Sequence, residues 1–311
     1  MAVQRDLFIK KAKRIVSEGG SIGLFAEGNL TYNGATGTIS PAIVKFIRAL
    51  KIPIIIFISE GLYLSNPRWS VYSKKGWSTA NIIKTISPEE YNNMSDDDLY
   101  ELVNNAIQVN YVEQQEKNKA SYNGKELAKG LHRFLFMDLK TNTPFTTYTE
   151  MNYLYSTSSD FNLEYLPSGL VRYNDQLVSL MELDYLTKVS YFNYLKDLDD
   201  RILYEDAVFV KETFKQRRKK VGKSRLILFK NKLKLVFNKE ELILEFDDML
   251  SFAIQGKNKL IIYYKEKTYL IELLSVSSPY KYLLTYQIFN ILKKEDLTNV
   301  DINRTVQKLG F

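Results

Sequence analysis

The feature that most constrains the fold of this chain is a series of short apolar runs with strand periodicity in its C-terminal third. Turn signals such as Gln255-Gly256-Lys257-Asn258 separate the runs, and a segment with helical spacing follows them. Short strands followed by one helix predict a small antiparallel barrel or sandwich. The seven runs are 207–214, 225–229, 233–237, 242–246, 250–254, 260–264 and 268–273, and the helix covers about 279–292.

The N-terminal end has a different pattern, in which helix, strand, helix and strand alternate over residues 1–60. Residues 21–25 and 54–59 are the two strands, and a glycine-containing loop and a helix starting at Ser40-Pro41 connect them. A strand, a crossover helix and a second strand imply a parallel sheet. This unit is too small to be a domain, so we expect further strands, encoded upstream of Met1.

Between these two ends the pattern is mixed. Helices are predicted for residues 95–109, with Ser95 as the N-cap, and for residues 176–195. Residues 127–133 are also predicted to be helical, whereas the polar stretch 114–125 predicts a linker or the end of a helical arm. The segment from 134 to 172 predicts short strands and turns, and we assign its many aromatic residues to sheet faces and core.

Composition excludes several classes of chemistry. The chain has no cysteine and one histidine, His132. Disulfides, thiolate zinc sites, cysteine nucleophiles and histidine-cluster metal sites are therefore excluded, and we expect no metal and no cofactor. No apolar run approaches the about 20 residues of a membrane span, and the N-terminus lacks the apolar region of a signal peptide. We expect a cytoplasmic protein, with peripheral attachment to the inner face of the cell membrane as a further expectation.

The formal net charge of +7 is concentrated in residues 211–225, which contain eight Lys and Arg residues and one Glu. The interpretation without a function is a solvated hairpin between two strands. The functional interpretation is a patch for anionic lipid headgroups. Nucleic acid is the less favoured partner, because Phe214 is the one aromatic residue in the run and no nucleic-acid-binding motif accompanies it. The candidate patch residues are Lys215, Arg217, Arg218, Lys219, Lys220 and Lys223.

Residues 20–31, Gly-Ser-Ile-Gly-Leu-Phe-Ala-Glu-Gly-Asn-Leu-Thr, resemble the phosphate-binding motif of the lysophospholipid and glycerol-phosphate acyltransferases. That motif is usually a strand ending in Phe-Pro-Glu-Gly-Thr-Arg-Ser or Phe-Pro-Glu-Gly-Asn-Arg-Thr. The following loop, the Pro41 helix and the strand introduced by Pro53 resemble the next elements of the family. The resemblance covers about residues 1–120, and by position it implies phosphate-binding roles for Arg5, Glu27 and Gly28.

The resemblance is incomplete where the chemistry is done. In the family, an upstream His-x-x-x-x-Asp motif supplies the base that activates the acceptor hydroxyl. That motif is absent here, and His132 follows the motifs and is expected to be structural. Leu30 stands where the family has the Arg that clamps the acceptor phosphate, and Ala26 stands where it has Pro. The carboxylate of Glu27 has a second interpretation, in which it satisfies the amides of its own loop.

A second resemblance concerns residues 126–172, and it depends on which branch of the family an upstream motif resembles. The motif Asn66-Pro67-Arg68-Trp69-Ser70 resembles a Gram-positive branch of the family, whose members carry a zinc ribbon after the acyltransferase domain. Here the segments 137–140 and 156–159 fall where that ribbon has its two Cys-x-x-Cys pairs. Thioether, amine and hydroxyl groups cannot replace four thiolates around zinc, so a persisting ribbon has to be held by packing.

These observations predict an α/β plus mainly β protein with four segments. They are the C-terminal part of an acyltransferase-like domain (1–120), a metal-free ribbon-like segment (121–172), a helical connector (173–204) and a β domain (205–311). The order of seven strands and one helix in the last segment matches a pleckstrin-homology-like (PH-like) barrel.

The expected function is that of a truncated, diverged acyltransferase relative in phospholipid biosynthesis, with no catalytic residue of its own and inactive alone. It needs an acyl donor and a lysophospholipid only if another chain supplies the missing half. The alternatives are a non-enzymatic module that binds a membrane surface or a partner, and nucleic-acid binding through residues 211–225.

Overall fold

A computed structural model of the protein describes residues 2–27, 30–37, 39–214, 217–238, 240–275 and 277–294, and includes their side chains except at 2–7, 217–218 and 220. Its helices are α1 (Ala2–Ser17), α2 (Ala42–Leu50), α3 (Leu62–Ser65), α4 (Pro88–Asn92), α5 (Asp96–Ala106), α6 (Tyr111–Asn118), α7 (Leu180–Lys196) and α8 (Pro279–Lys294). Its strands are β1 (Ile54–Glu60), β2 (Thr79–Ile86), β3 (Met137–Asp138), β4 (Thr143–Pro144), β5 (Thr147–Glu150), β6 (Tyr153–Ser156), β7 (Asn162–Tyr165), β8 (Val171–Tyr173), β9 (Gln176–Val178), β10 (Tyr204–Phe214), β11 (Arg217–Leu228), β12 (Lys232–Val236), β13 (Glu241–Glu245), β14 (Met249–Gln255), β15 (Lys259–Tyr264) and β16 (Lys267–Leu273).

The helix starts of the N-terminal part follow from local capping. Helix α2 begins directly after Pro41, and the Oγ of Ser40 accepts a hydrogen bond of 3.3 Å from the amide of Ala42. Helix α5 begins after Ser95, whose Oγ accepts a hydrogen bond of 3.1 Å from the amide of Asp98. The capping prediction at α5 is confirmed, because the Ser95 side chain satisfies an amide that has no partner inside the helix. At α2 the N-cap is Pro41 rather than the predicted Ser40, so the helix starts one residue later than expected.

The expectation of a parallel sheet near the N-terminus is wrong. Strand β1 pairs with β2, which follows it after a connection that contains α3, and the pairing is antiparallel. Residues 21–25, predicted as a strand, form none; Phe25 is 92% exposed. An extended run becomes a strand only where a neighbour completes its hydrogen-bond ladder, and the described residues place none beside residues 21–25.

The C-terminal part confirms the prediction of strands followed by a helix. In the described residues, strands β10 to β16 form one antiparallel sheet in the order β13-β12-β11-β10-β16-β15-β14. The sheet curls into a half-barrel, and helix α8 packs against β14 at one end. Alternate residues such as Leu226, Leu260 and Ile271 are fully buried, as expected for strands with one face on a core.

The middle of the chain has small sheets and one long helix. Strands β3 and β4 form a short hairpin, and β5 to β9 form a meander of consecutive antiparallel neighbours. The predicted helix 176–195 splits into β9 and α7, because Ser179 and Glu182 form a capping box that starts the helix at Leu180.

One further prediction in this region is wrong, and the other, a linker or the end of a helical arm at 114–125, is confirmed in its second form up to Asn118. Residues 127–133 are turns with one 3-10 turn at Leu131–Arg133 rather than a helix, because Gly130 has a left-handed backbone with φ of +95°. The predicted linker 114–125 begins with the end of α6, whose Asn110 caps it by accepting a hydrogen bond of 2.9 Å from the amide of Val112.

The described residues contain two hydrophobic clusters. The larger one extends from Tyr32 and Trp69 through the middle segment to the sheet and α8, and so crosses the predicted segment boundaries. The smaller one lies under β1 and β2 and between α2 and α5. The segment boundaries themselves stay predictions. The loop that carries Glu27 connects the two packing units, with Ala26 against the smaller cluster and Tyr32 in the larger.

Candidate functional site

Glu27 lies in the loop between α1 and α2 and is partly buried. Its Oε2 accepts a hydrogen bond of 2.8 Å from the backbone amide of Gly37. Burial raises the pKa of the Glu27 carboxyl above its usual range, and the hydrogen bond from Gly37 acts in the opposite direction. The loop is therefore closed on itself by a carboxylate, as the second interpretation of Glu27 predicts.

Glu27 also forms part of the wall of a cavity of about 170 Å³. The cavity lies where the N-terminal loop meets α7 and α8. Its wall includes two charged side chains of α7. The polar side chains in the wall are Glu27, Thr31, Tyr32, Asn33, Arg68, Asp184, Lys188, Tyr280 and Gln287.

The buried carboxylate of Asp184 joins three elements at this cavity. Its oxygens accept hydrogen bonds from Asn33 Nδ2 at 3.0 Å and from the Tyr280 hydroxyl at 2.8 Å. Lys188, one turn along α7, forms an ion pair with Asp184 at 2.9 Å, and both side chains are almost fully buried. A buried ion pair persists only when hydrogen bonds satisfy its remaining valences, which Asn33 and Tyr280 do here.

Arg68 ties the same loop to the C-terminal sheet. Its guanidinium donates to the carbonyl oxygens of Leu30 at 2.9 Å, Gly256 at 2.9 Å and Ile254 at 2.7 Å. It also lies over the ring of Tyr32, 4.9 Å from the centroid. Arg68 is therefore a clamp between backbone segments that are far apart in the sequence, and carbonyl groups occupy much of its donor capacity.

The buried hydroxyl of Tyr32 lines the cavity and has no hydrogen-bond partner in the described part of the chain. Burial raises the pKa of Tyr32 to about 12, and the neighbouring Arg68 and Arg133 act in the opposite direction. An unsatisfied buried hydroxyl costs about 1–3 kcal/mol.

His132 does not belong to this cavity wall. It lies on the 3-10 turn Leu131–Arg133, and its Nδ1 is 3.1 Å from the Thr149 Oγ1 on β5. That neutral hydroxyl contact joins the turn to the meander, and the cavity wall at Glu27 has no imidazole. The position agrees with the expected structural role.

Several predicted site residues lie outside the described residues. Gly28 and Lys215 are among them, and so are the side chains of Arg5, Arg217, Arg218 and Lys220. Of the predicted phosphate-binding set, the described site therefore includes Glu27. Leu30, in the position of the family's Arg, is 68% exposed.

The two segments with the spacing of metal-ligand pairs lie together, around a carboxylate. Asp138 Oδ2 accepts hydrogen bonds from Ser159 Oγ at 2.7 Å and Ser158 Oγ at 2.8 Å. Its Oδ1 accepts from the amides of Lys140 at 2.8 Å and Thr141 at 3.1 Å. Burial acts to raise the pKa of Asp138, but the serine hydroxyls and the Thr141 amide outweigh it and hold the pKa well below its usual range.

The basic run 211–225 lies within a long hairpin rather than in a loop. Strands β10 and β11 pair as far as Phe214 and Arg217. Strand β12 pairs with β11 only from Arg225 to Leu228, so in the described residues the other edge of the basic part of β11 has no strand neighbour. Lys219 and Lys223 on this part are exposed. On the β11 side the hairpin end therefore extends beyond β12, whereas on the other side β16 flanks β10 as far as Phe214.

Sequence reasoning missed the buried polar residues that hold the site. Asp184 and Lys188 are four residues apart in helix α7, a spacing that is a readable signal for an ion pair. Asp138 follows the apolar run 134–137 and is a similar signal. The contacts of Asn33 and Arg68 have no such signal, because their partners are distant in sequence.

The described residues contain neither a membrane-spanning helix nor a cluster of metal-binding side chains. No helix among them is long and apolar enough to cross a bilayer. Likewise, no group of three or more His, Cys, Asp or Glu side chains among them is arranged to hold a metal ion.

Comparison with known proteins yields no family. No protein-family model and no curated protein matches the sequence. The chain is similar to the solved N-terminal PH domain of human ARAP2, with 15% identity, a TM-score of 0.21, and coverage of 31% of this chain and 86% of that one. It is also similar to Inner Membrane Complex Sub-compartment Protein 3 of Toxoplasma gondii, with 12% identity, a TM-score of 0.20, and coverage of 38% and 83%. Likenesses with such TM-scores carry no argument about function.

Proposed function

We propose that this chain is a diverged relative of the lysophospholipid and glycerol-phosphate acyltransferases that does not transfer acyl groups on its own. The observation that supports it is Glu27, which follows the motif-like run 20–26, accepts a hydrogen bond from the amide of Gly37, and forms part of the wall of a polar cavity. The resemblance implies a phosphate-binding role at this position, and the place of Glu27 in the cavity wall is compatible with that role, while its hydrogen bond with Gly37 fits the second interpretation.

The proposal of inactivity rests on the missing base. Acyl transfer to a hydroxyl needs a group within hydrogen-bond reach that removes the hydroxyl proton. His132 is the only imidazole of the chain, and its Nδ1 contacts Thr149 on the ribbon-like meander. Glu27 is not a substitute, because its Oε2 is already bound by Gly37 and orders the loop.

The cavity also lacks an obvious phosphate clamp among its described residues. Lys188 is ion-paired with Asp184, and Arg68 donates to three backbone carbonyls. Leu30 offers no donor where the family has Arg. Recognition of a phosphate dianion normally uses a bidentate, charge-assisted pair. We therefore expect weak binding of a phosphate acceptor as well as no turnover.

Restoring the clamp tests the relationship. Leu30→Arg should strengthen binding of glycerol 3-phosphate by about 10- to 100-fold, because one charge-assisted hydrogen bond contributes about 1.5–3 kcal/mol. Isothermal titration calorimetry measures it, with Leu30→Met as the matched control of similar size and no charge. Leu30 is exposed, so neither change should affect folding. Equal binding by the Arg and Met variants would contradict the assignment of the motif.

Acyl transfer is assayed separately, with lysophosphatidic acid and acyl-CoA, acyl carrier protein or acyl phosphate as donors. We expect no product from the chain alone. Turnover that survives His132→Ala would show that another base operates and would overturn the account of the missing catalytic group.

A second candidate function rests on the basic end of the β10–β11 hairpin. We infer that the C-terminal sheet and α8 form a PH-like domain, and that this hairpin binds anionic membrane surfaces. The support is the strand order with its terminal helix and the exposed Lys219 and Lys223 beside an edge without a strand neighbour in the described residues. Each basic residue near an anionic surface contributes about 1 kcal/mol.

Charge reversal tests this second candidate. The double variant Lys219→Glu, Lys223→Glu should weaken binding to phosphatidylglycerol vesicles by about 30-fold or more. The matched control reverses Lys45 and Lys51, two exposed lysines near helix α2. Unchanged vesicle binding by the hairpin variant would mean that the run is only a solvated hairpin. Salt-sensitive binding to DNA or RNA without vesicle binding would favour the nucleic-acid alternative.

A further inference from the structure

A basic cluster of four side chains, Arg68, Lys74, Arg133 and Lys257, lies where the segment after α3 and the turn Leu131–Arg133 meet the C-terminal sheet. Three of them are nearly buried, with exposed fractions of 7% for Arg68, 5% for Lys74 and 8% for Arg133. Lys257, in the turn between β14 and β15, is half-buried. Lysine and arginine are rarely buried unless they are paired, so these four residues should have partners of opposite charge.

Contacts with Ser70 bring the two lysines together. Lys257 Nζ donates to the carbonyl oxygen of Ser70 at 2.6 Å, and Lys74 Nζ donates to the Oγ of the same residue at 3.1 Å. Arg68 donates to the carbonyl oxygen of Gly256, the residue before Lys257, at 2.9 Å. The segment that carries Arg68 and Lys74 therefore holds these two side chains close to Lys257.

Arg133 joins the basic cluster beside Tyr32. Arg68 lies over the ring of Tyr32, 4.9 Å from its centroid, and Phe134 stacks on the same ring with 5.8 Å between the centroids. Burial raises the pKa of the Tyr32 hydroxyl, and the charges of Arg68 and Arg133 both act against this rise. The hydroxyl of Tyr32 is therefore within electrostatic range of both guanidinium groups.

The charges of the basic cluster repel one another. Burial, and after it the charge of Arg133, lowers the pKa of Lys257. Burial, and after it the charge of Lys257, lowers the pKa of Lys74 to about 7. Burial also lowers the pKa of Arg68 and of Arg133. Positive charges held together away from water cost free energy unless negative charge compensates them.

The described part of the chain does not supply that negative charge. None of the four basic side chains forms an ion pair with a described carboxylate. The two carboxylates of the neighbouring cavity wall are engaged elsewhere. Asp184 pairs with Lys188 at 2.9 Å, and Glu27 accepts the hydrogen bond from Gly37.

Unused donors coincide with the uncompensated charge. Arg133 Nε and the Tyr32 hydroxyl are buried and have no hydrogen-bond partner in the described residues. Lys257 has three ammonium donors and uses two of them, on Asn66 Oδ1 at 2.8 Å and on the carbonyl of Ser70. Buried polar groups without a protein partner indicate a bound water or ion. A water molecule would satisfy the donors but not the charge, whereas an anion does both.

We infer that the basic cluster binds a small divalent oxyanion through Arg133, Lys257 and the Tyr32 hydroxyl, and that its chemistry is that of a phosphate group. The guanidinium fork of arginine matches phosphate oxygens, and several cations around one point favour a dianion over a carboxylate. The half-buried position of Lys257 gives the anion access from solvent. Arg133 and Lys257 lie outside residues 1–120, so the inference does not depend on the proposed acyltransferase relationship.

The test is thermal unfolding of the full chain in inorganic phosphate and in chloride of the same ionic strength, at about pH 8, where phosphate is divalent. The melting temperature should rise with phosphate concentration, because a ligand of the folded state stabilises it by mass action. The apparent affinity follows from this dependence. Phosphate also stabilises proteins through exclusion from their surface, so the decisive comparison is between variants.

Two variants remove proposed donors. Arg133→Met and Lys257→Gln should each weaken phosphate binding by about tenfold or more, since a hydrogen bond to a charged group is lost. The matched control is Lys259→Gln, at a half-buried lysine two residues along whose Nζ is 3.9 Å from a carboxylate oxygen of Glu272. It should bind phosphate as the wild type does. In chloride, Arg133→Met should melt above the wild type, because it removes a buried charge without a counterion.

An equal response of the wild type and Lys257→Gln to phosphate overturns the inference. This half-buried position keeps the test decisive if Arg133→Met fails to fold by circular dichroism. A folded Arg133→Met that melts below the wild type in chloride and responds equally to phosphate would give Arg133 a structural role, and it too overturns the inference.

A second measurement distinguishes a free phosphate from a lipid headgroup with the same group. Sedimentation with vesicles that contain phosphatidic acid presents the phosphate at a membrane surface. Vesicle binding that Lys257→Gln weakens and Lys259→Gln does not would assign the basic cluster to a headgroup. Inorganic phosphate binding with the same dependence, without such vesicle binding, would assign it to a free phosphate. Dependence on Lys257 in neither measurement overturns the inference.

Discussion

Asp138 is the residue whose removal should reveal what holds the ribbon-like segment together. Its carboxylate accepts hydrogen bonds from Ser158, Ser159, and the amides of Lys140 and Thr141, and it is 0% exposed. The two segments that it joins are separated by strands β4 to β6. A single anion therefore holds two turns together, and the alignment of these turns with the ligand pairs of a zinc ribbon stays a prediction.

The loss of unfolding free energy on removing Asp138 depends on which of its donors can find another partner. In Asp138→Ala the serine hydroxyls can rotate, and Ser158 Oγ already lies 2.9 Å from Ser156 Oγ. The two backbone amides cannot rotate, and each loses a hydrogen bond to a charged group, which contributes about 1.5–3 kcal/mol, so the expected loss of unfolding free energy is about 3–5 kcal/mol. Asp138→Asn keeps one oxygen for the amides, and its NH₂ can donate to the hydroxyls, so the loss should be about 1–2 kcal/mol.

The assay is urea unfolding followed by near-ultraviolet circular dichroism, with Asp160→Ala as the control. Asp160 is a neighbouring acid that pairs with Lys140 but has a side chain that is 78% exposed, so its removal should cost less than about 1 kcal/mol. If Asp138→Ala costs no more than Asp160→Ala, the carboxylate is not the hub of the segment.

The pH dependence of the wild type gives an independent check. The hydrogen bonds lower the pKa of Asp138 in the folded state, so the carboxylate stabilises the fold at pH values above its ordinary pKa of 3.8. That stabilisation is lost as the pH falls below 3.8 towards the folded-state pKa. Asp138→Asn should therefore unfold with a flatter pH dependence in this acid range. Identical acid profiles of wild type and Asp138→Asn would contradict the assignment.

Two further predictions concern other buried or paired positions. Burial and the neighbouring Lys257 lower the pKa of Lys74 to about 7, so between pH 7 and its ordinary value of 10.5 the unfolded state binds more protons. The melting temperature should therefore rise with pH over this window, and the rise should be smaller in Lys74→Met. An equal rise in the variant would exclude Lys74 as its source. In the segment 121–172, replacing by Cys the four positions aligned with zinc ligands should create a tetrahedral site. This site should bind Co²⁺ with a thiolate charge-transfer absorption, and a variant with three of the four Cys should bind it more weakly. Equal spectra of the two variants would contradict the alignment with a zinc ribbon. The four positions are Met137, Lys140, Ser156 and Ser159.

Local signals in the sequence were sufficient for much of the secondary structure. Ser95 and the Ser40-Pro41 pair located the starts of α5 and α2, because capping depends on residues within one turn. The C-terminal strands were predictable because their alternation has one covered face and their turns are marked by Gly, Asn and Lys. These features depend on neighbours in the chain.

Features that depend on distant partners were not predictable. Residues 21–25 have the composition of a strand, but whether they form one depends on a neighbour that the described residues do not provide. The parallel sheet predicted from residues 21–25 and 54–59 was wrong, because residues 79–86 pair with β1 instead and run antiparallel to it. At the site, Glu27 was identified from its motif, whereas Asn33 and Asp184 are 151 residues apart in sequence and meet only in the fold.

The clamp made by Arg68 has a consequence for the order of events during synthesis. Its carbonyl partner at Gly256 is 188 residues further along the chain. At about 5–20 residues per second, the ribosome needs about 10–40 s to supply that partner after Arg68 has been made. During that interval the Glu27 loop has its own Gly37 hydrogen bond, and α7 is made before the C-terminal sheet is complete. The cavity wall is therefore completed last, when α8 brings Tyr280 to Asp184.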